Sequence, residues 1–375
     1  MIILLVFPVT ICLNNETLSM NDDNPYITLM VYWQYRAERV GMEQDCAGIM
    51  RVDGSARPVA YAAKDFGEDL HKNMQYLAGA EVEEGDIAIV FDFDSLLMSE
   101  IEEASKDIFQ YAYTPDEFYY TRSHQGMYKL LRNCGYNVDY TSATRPETFE
   151  KYKVLYFPYY SMPDEKIVPY LEKFLQNGGT IIADEGFGLC DLNTWMRAGD
   201  INCKPLMTAR ILERRKLYKK EEYFDFMGER TRIYPYKSQI KVENASVLAS
   251  FDDGTPAIQR VEYGKGRIYI SGASIGYAYE CMGEQVWEKF LDGIMNEAGI
   301  EKYKFADAKN GIYEKRTING DKEIVFIFNI SDEDKTFDLG KEVIAFGADA
   351  EVVGNRMTVK TGEIGYAVVK AEVKN

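Results

Sequence analysis

Histidine is almost absent. The 375-residue chain has two, His71 and His124, which removes most catalysis by an imidazole base and most His-rich metal sites. The six cysteines, Cys12, Cys46, Cys134, Cys190, Cys203 and Cys281, are scattered without a C-x-x-C pair. Neither a disulfide framework nor a zinc site is indicated, and reduced thiols in a cytoplasmic protein are the expectation. Positive charge is short too: 43 Lys and Arg face 60 Asp and Glu, for a net charge of −17 with no extended basic patch. That argues against nucleic acid and anionic membrane as partners. The opening run MIILLVFPVTICL is too short to span a bilayer. It has no basic residue ahead of it and no clean cleavage site behind it, so a buried strand is expected rather than an export signal.

The rest of the composition is ordinary, 46% hydrophobic and 27% charged. It suffices for a core in each of the two or three domains expected at this length. The 28 Tyr and 19 Phe suit carbohydrate or protein contacts, although most such rings pack in cores.

The pattern predicts an alternation. ITLMVYWQYR (27–36) is strand-like, and residues 58–80 have helical spacing, with Val59, Ala62, Ala63, Phe66, Leu70, Met74 and Leu77 on one side. Strands are expected at 86–94, 136–143, 153–161 and 180–188. Helices are expected around 103–133, broken at Thr114-Pro115, and at 164–179. This β-α-β-α order implies a parallel, doubly wound sheet. The charged stretch 191–237 reads as an excursion from it. Hairpin strands follow within 246–276, and an amphipathic helix within 284–300. From about residue 301 the texture becomes strand and turn, with Asn319-Gly320-Asp321 a hairpin signal, and predicts a small antiparallel β-sandwich.

Several residues invite a chemical reading. Asp92 and Asp94, two apart at an expected strand end, share a face where a cation is conceivable; hydrogen bonding or helix capping is the preferred role. Gly264-Lys265-Gly266 lacks the phosphate-loop pattern and is expected to be a hairpin turn. The Tyr-rich stretch 109–131 suits a sugar platform or, preferably, packing against the sheet or a neighbouring subunit. His71 is expected at a surface or a helix contact.

Three regions carry a family resemblance. YWQYRAERVGMEQD (32–45) resembles the last barrel strand of the family 42 glycoside hydrolases, the microbial β-galactosidases, with its aromatic-Gln-aromatic-Arg strand and following loop Glu. IAIVFDFDS, YKVLYFPYYSMPDE, LEKFLQNGGTIIAD and VEYGKGRIYISG resemble their second domain, and EIVFIFNISDED their C-terminal β-domain. The resemblance implies three parts. Residues 1–80 would be a remnant of a (β/α)8 TIM barrel, its last strand and helix. Residues 81–300 would be a flavodoxin-like domain that drives a homotrimer, and 301–375 the β-domain. It also implies that Trp33 borders the sugar and Glu43 holds sugar hydroxyls, with a β-galactoside or similar carbohydrate as substrate. Cys46 stands where those enzymes usually place a sugar-contacting His. A thiol is the poorer donor and acceptor, which weakens the case for galactose. The second domain is also similar to class I glutamine amidotransferases. Those need a His beyond the nucleophilic Cys, and none follows Cys190, so that thiol has no base.

Retaining glycosidases need two carboxyl groups about 5–5.5 Å apart, from separate strand ends. The family carries both upstream of the strand seen here, and no position in this sequence matches either. Glu38, Glu43 and Asp45 share one loop and make a poor substitute. No catalytic residue, metal or cofactor is therefore assigned. The expectation is the C-terminal portion of such an enzyme, inactive alone, with a separately encoded barrel portion as a conceivable partner. The alternative is a non-catalytic assembly or sugar-binding protein built from the same domains.

Overall fold

The structure, a computed structural model, describes residues 35–41, 48–104, 118–195, 200–201, 206–217 and 222–371. It forms two compact units. One is residues 84–309; the other joins the residues up to 83 with those from 310 onward.

In the discontinuous unit, Arg36 pairs with Met50 in an isolated bridge, and its guanidinium donates to the Val52 carbonyl at 2.9 and 2.6 Å. Helix α1 (Pro58–Leu77) begins on a proline, whose missing N–H is not needed in a first turn. None of its residues is fully buried. The short strand β1 (Glu81–Val82) follows.

The continuous unit opens with β2 (Ile87–Phe91), α2 (Phe93–Ala104), α3 (Tyr119–Asn133), β3 (Val138–Ser142), β4 (Val154–Phe157), α4 (Val168–Gln176) and β5 (Thr180–Ala183). The charged excursion becomes β6 (Asp200–Ile201), β7 (Ala209–Lys216), β8 (Glu222–Phe226), β9 (Glu229–Ile233) and β10 (Tyr236–Val242). After it come β11 (Ser246–Ser250), β12 (Pro256–Tyr263), β13 (Gly266–Ser271), α5 (Ile275–Met282) and α6 (Val286–Glu297). A seven-stranded sheet runs β11-β12-β13-β5-β4-β2-β3. Its last five members are mutually parallel, and β11 and β12 are antiparallel additions at one edge. In chain order the parallel strands lie second, first, third, fourth, fifth. The residues of the inner strands β2, β4 and β5 are buried nearly without interruption, as a sheet covered on both faces requires. Alternation divides them. Ile87, Ile89, Val154 and Tyr156 share a core with α3 and α6. Ala88, Val90, Leu155 and Phe157 share the opposite core with α4. Strands β10-β7-β6 make a separate small sheet, and β8-β9 a hairpin.

The strands from β14 (Ile312–Asn319) onward are all antiparallel: β15 (Lys322–Asn329), β16 (Lys335–Asp338), β17 (Val343–Ala348), β18 (Ala350–Val353), β19 (Arg356–Val359) and β20 (Glu363–Lys370). They form sheets β1-β14-β15-β20-β17 and β16-β19-β18. Helix α1 docks on the first. Asp69 accepts from the Tyr366 hydroxyl at 2.8 Å and the Ala348 N–H at 2.9 Å, and Asn73 donates to the Tyr366 oxygen at 2.8 Å. Asn319, at the mouth of the predicted hairpin turn, donates to the carbonyls of Tyr76 and Ala78 at the helix end. Residues 81–83 thus join this sheet, whereas the resemblance starts the α/β part at 81.

Candidate functional site

Open parallel sheets take ligands beyond the carboxyl ends of their strands, where strand order reverses. Here that place lies between β2 and β4, and protein fills it. Asp92, just past β2, is buried. Its carboxylate accepts from the Ser95 N–H at 2.8 Å and the Ser95 hydroxyl at 2.5 Å. Its own N–H donates to the Tyr120 oxygen at 2.7 Å. The Ser95 oxygen in turn accepts from the N–H groups of Ser161 and Met162, just past β4, at 3.0 and 3.2 Å. Burial, with Asp94 nearby, raises the Asp92 carboxyl above its ordinary value despite the Ser95 bonds. The capping role holds. The shared strand face does not, because β2 ends at Phe91 and a helix starts at Phe93. Asp94 is therefore an exposed first-turn residue, placed to favour the positive helix end.

A concentration of buried charge lies at the end of β5. The strand TIIA runs directly into Asp184 and Glu185, both buried. The Asp184 carboxylate accepts from the Tyr156 hydroxyl. It also accepts from the N–H groups of Glu185 at 2.7 Å and Ile275 at 2.9 Å, which caps α5. Burial pushes it up to about 7. Glu185 accepts from Arg214 Nε at 2.7 Å, the Ser238 hydroxyl at 2.6 Å and the Tyr119 hydroxyl at 2.8 Å. Arg214 donates Nη1 to both oxygens of Glu102, at 3.0 and 3.2 Å. Its guanidinium lies 3.9 Å from the Tyr236 ring centroid and 5.4 Å from that of Tyr159. Tyr159 closes the ring by donating to Glu102 at 2.7 Å. Burial alone would lower the Arg214 value, but Glu185, Tyr159 and Glu102 hold it well above normal. Burial likewise keeps the phenols of Tyr119, Tyr156 and Tyr159 protonated as donors.

A carboxylate catalyst needs a lone pair facing its substrate. Both Glu185 oxygens are engaged, and the side chain has no solvent exposure. The network ties α2, α3, β7, β10 and the strand ends together through charge-assisted bonds, which makes it a positioning device. Composition gave no hint of it. The available signal was an Asp-Glu pair immediately behind an all-apolar strand, together with arginines in the charged excursion.

The residues singled out from the sequence scatter. Trp33, Glu43, Asp45 and Cys46 lie outside the described residues, as do 109–117 of the Tyr-rich stretch. Tyr119 and Tyr120 of that stretch are buried and form no sugar platform. Glu38 is exposed. Cys190 is fully buried among Met98, Met162 and Leu189, an inert setting. Gly264-Lys265 makes the expected turn between β12 and β13. His71 is exposed on α1. His124 is buried against Phe91, Tyr120 and Tyr140, and burial pushes it down to about 3. Among the described residues, no cluster of three or more His, Cys, Asp or Glu is placed to hold a metal ion, and no helix is long and apolar enough to cross a membrane.

A family model described as the β-galactosidase trimerisation domain matches residues 85–301. Over 352 residues the chain is 22% identical to β-galactosidase GanA of Bacillus subtilis (strain 168), covering 90% of this chain and 49% of that protein. It is 23% identical over 345 residues to β-galactosidase LacZ of Heyndrickxia coagulans, covering 86% and 47%. Among solved structures it matches a β-galactosidase from Bacillus circulans sp. alkalophilus with a TM-score of 0.72 at 17% identity, over 90% of this chain and 49% of that one. The chain spans about half the length of the curated relatives it matches.

Proposed function

The chain belongs to the family 42 β-galactosidases through their trimerisation domain, and from that membership we propose that it is the C-terminal portion of a β-galactosidase-like glycosidase. In the complete enzyme the reaction is hydrolysis of a terminal β-galactoside or similar glycoside. The observation that carries this reading is the coincidence of the family match, residues 85–301, with the compact unit of residues 84–309.

In this reading residues 84–309 are a flavodoxin-like domain that assembles a homotrimer. The strand order second-first-third-fourth-fifth supports the flavodoxin comparison. Helix α1 is the last helix of a TIM barrel, and the two antiparallel sheets form the C-terminal β-sandwich. Trp33 and Glu43 contribute one wall of a sugar pocket: the indole gives an apolar face to the sugar, and the carboxylate accepts from its hydroxyls. The acid and the nucleophile come from elsewhere in a complete barrel. The buried carboxylates Asp184 and Glu185 are engaged by their own domain and take no part.

The purified chain is expected to show no hydrolysis of a chromogenic β-galactoside above the uncatalysed rate. Clear turnover would overturn the reading. Restoration of hydrolysis by a separately supplied barrel portion would establish the split arrangement. The mass in solution is expected to be three times the 43.0 kDa of the chain.

A further inference from the structure

Helix α2 is amphipathic in the wrong sense. At 100° per residue, Ser95, Met98, Ser99 and Glu102 fall on one side, and Phe93, Leu97 and Ile101 on the other. The side turned into the domain is the polar one. Ser95 and Ser99 are buried, Ser95 receiving the Ser161 and Met162 N–H groups, and Glu102 joining Arg214 and Tyr159. The apolar side faces out. Phe93 is 50% exposed, Leu97 42% and Ile101 57%. A helix on a protein surface ordinarily turns its apolar stripe to the core. Single exposed apolar residues need no explanation, but three at successive i, i+4 positions on one face form a patch of the kind that marks an interface. The inward Met98 packs on Leu189 and Cys190, and the chain then enters a turn whose Leu192 and Trp195 are 50% and 75% exposed.

We propose that the Phe93–Leu97–Ile101 face of α2 is a subunit contact, and that its occupant is a second copy of this chain within the trimer. This rests on the assembly reading above. The helix lies inside the segment matched by the trimerisation-domain model. A net charge of −17 per chain makes copies repel, so association needs an uncharged contact, and this stripe supplies one. A cyclic trimer joins two different surfaces of each copy. The stripe is one, and the turn bearing Trp195, a residue type enriched at interface hot spots, is the other.

The test compares the full chain with the double variant Leu97→Lys, Ile101→Lys by sedimentation across a concentration series. Lysine keeps helix propensity and lowers the like-charge repulsion, so any dissociation is due to the lost apolar contact. The wild type is expected at three times 43.0 kDa. The variant is expected as monomer, with the dissociation constant raised about tenfold or more for each residue changed. A variant that stays trimeric overturns the inference and leaves the assembly reading standing. A wild type that stays monomeric at every concentration defeats both. If the variant lacks a cooperative melt, amide exchange of wild-type residues 93–104 decides instead. Protection that rises on assembly supports the contact, and protection that does not change refutes it.

Discussion

Replacing Arg214 with methionine tests whether the buried network positions the elements it joins. Methionine keeps an unbranched apolar stem against Tyr159 and Tyr236 and removes the charge. Two carboxylates lose their partner, with unequal consequences. Glu102 is 20% exposed and can be hydrated, whereas Glu185 has no exposure and is stranded. Removing one member of a buried pair costs about 3–5 kcal/mol. Glu185 retains the Tyr119 and Ser238 hydroxyls, which places the expected loss near the lower end, about 3 kcal/mol. For a unit of this size that is a fall in Tm of roughly 6–12 °C, read by calorimetry or denaturant unfolding. Adding Glu185→Gln to Arg214→Met removes the stranded charge and is expected to recover most of the loss, since neutral replacement of a whole buried ion set is often tolerated. A single variant within about 1 kcal/mol of wild type, or a double variant no better than the single, would refute the argument.

Two glycines predict opposite signs. A Cβ on Gly126 of α3 would sit 1.9 Å from the Gly276 carbonyl oxygen of α5, whereas one on Gly293 of α6 meets nothing within 4 Å. Gly126→Ala is expected to destabilise by about 1–3 kcal/mol or more by forcing the helices apart, and Gly293→Ala to stabilise by about 0.5–1 kcal/mol. Denaturant midpoints check both. For pH, Asp184 is raised to about 7 from 3.8. Its contribution is fully present below about pH 4 and is lost as pH rises through 7. His124 is lowered to about 3 from 6.5. Its contribution is present above 6.5 and is lost as pH falls towards 3. Stability against pH should therefore lose its alkaline-side decline in Asp184→Asn and its acid-side decline in His124→Phe. Unchanged curves would refute the assignments.

Local signals were readable where one property decides the outcome. The apolar runs of β2, β4 and β5 could satisfy their surfaces only between two layers. The turns at Gly264 and Gly320 carry their own backbone preference, with φ of 60° and 57°. Asp94 lies in a helix rather than on a strand face, because alternation alone cannot distinguish the end of a strand from the first turn of a helix. The capping bond that decides this joins Asp92 and Ser95, three residues apart. Arg214 looked like one more charge in a polar excursion, since nothing in RILERRK says which arginine is buried. That depends on Glu102 and Glu185, 112 and 29 residues away in sequence.

The sequence by itself determined the alternation of elements, the parallel sheet, the antiparallel C-terminal part and the kinship, because hydrophobic period and turn chemistry are local along the chain. Only the tertiary structure decided which charges are buried and paired, that the place where such sheets take ligands is filled by Asp92, Ser95 and Tyr120, that α1 docks on the sheet of β14, β15 and β20, and that α2 turns its serines inward and its apolar stripe to solvent. Those are relations between residues distant in sequence. Burial and desolvation act on them through neighbours that the linear order does not name.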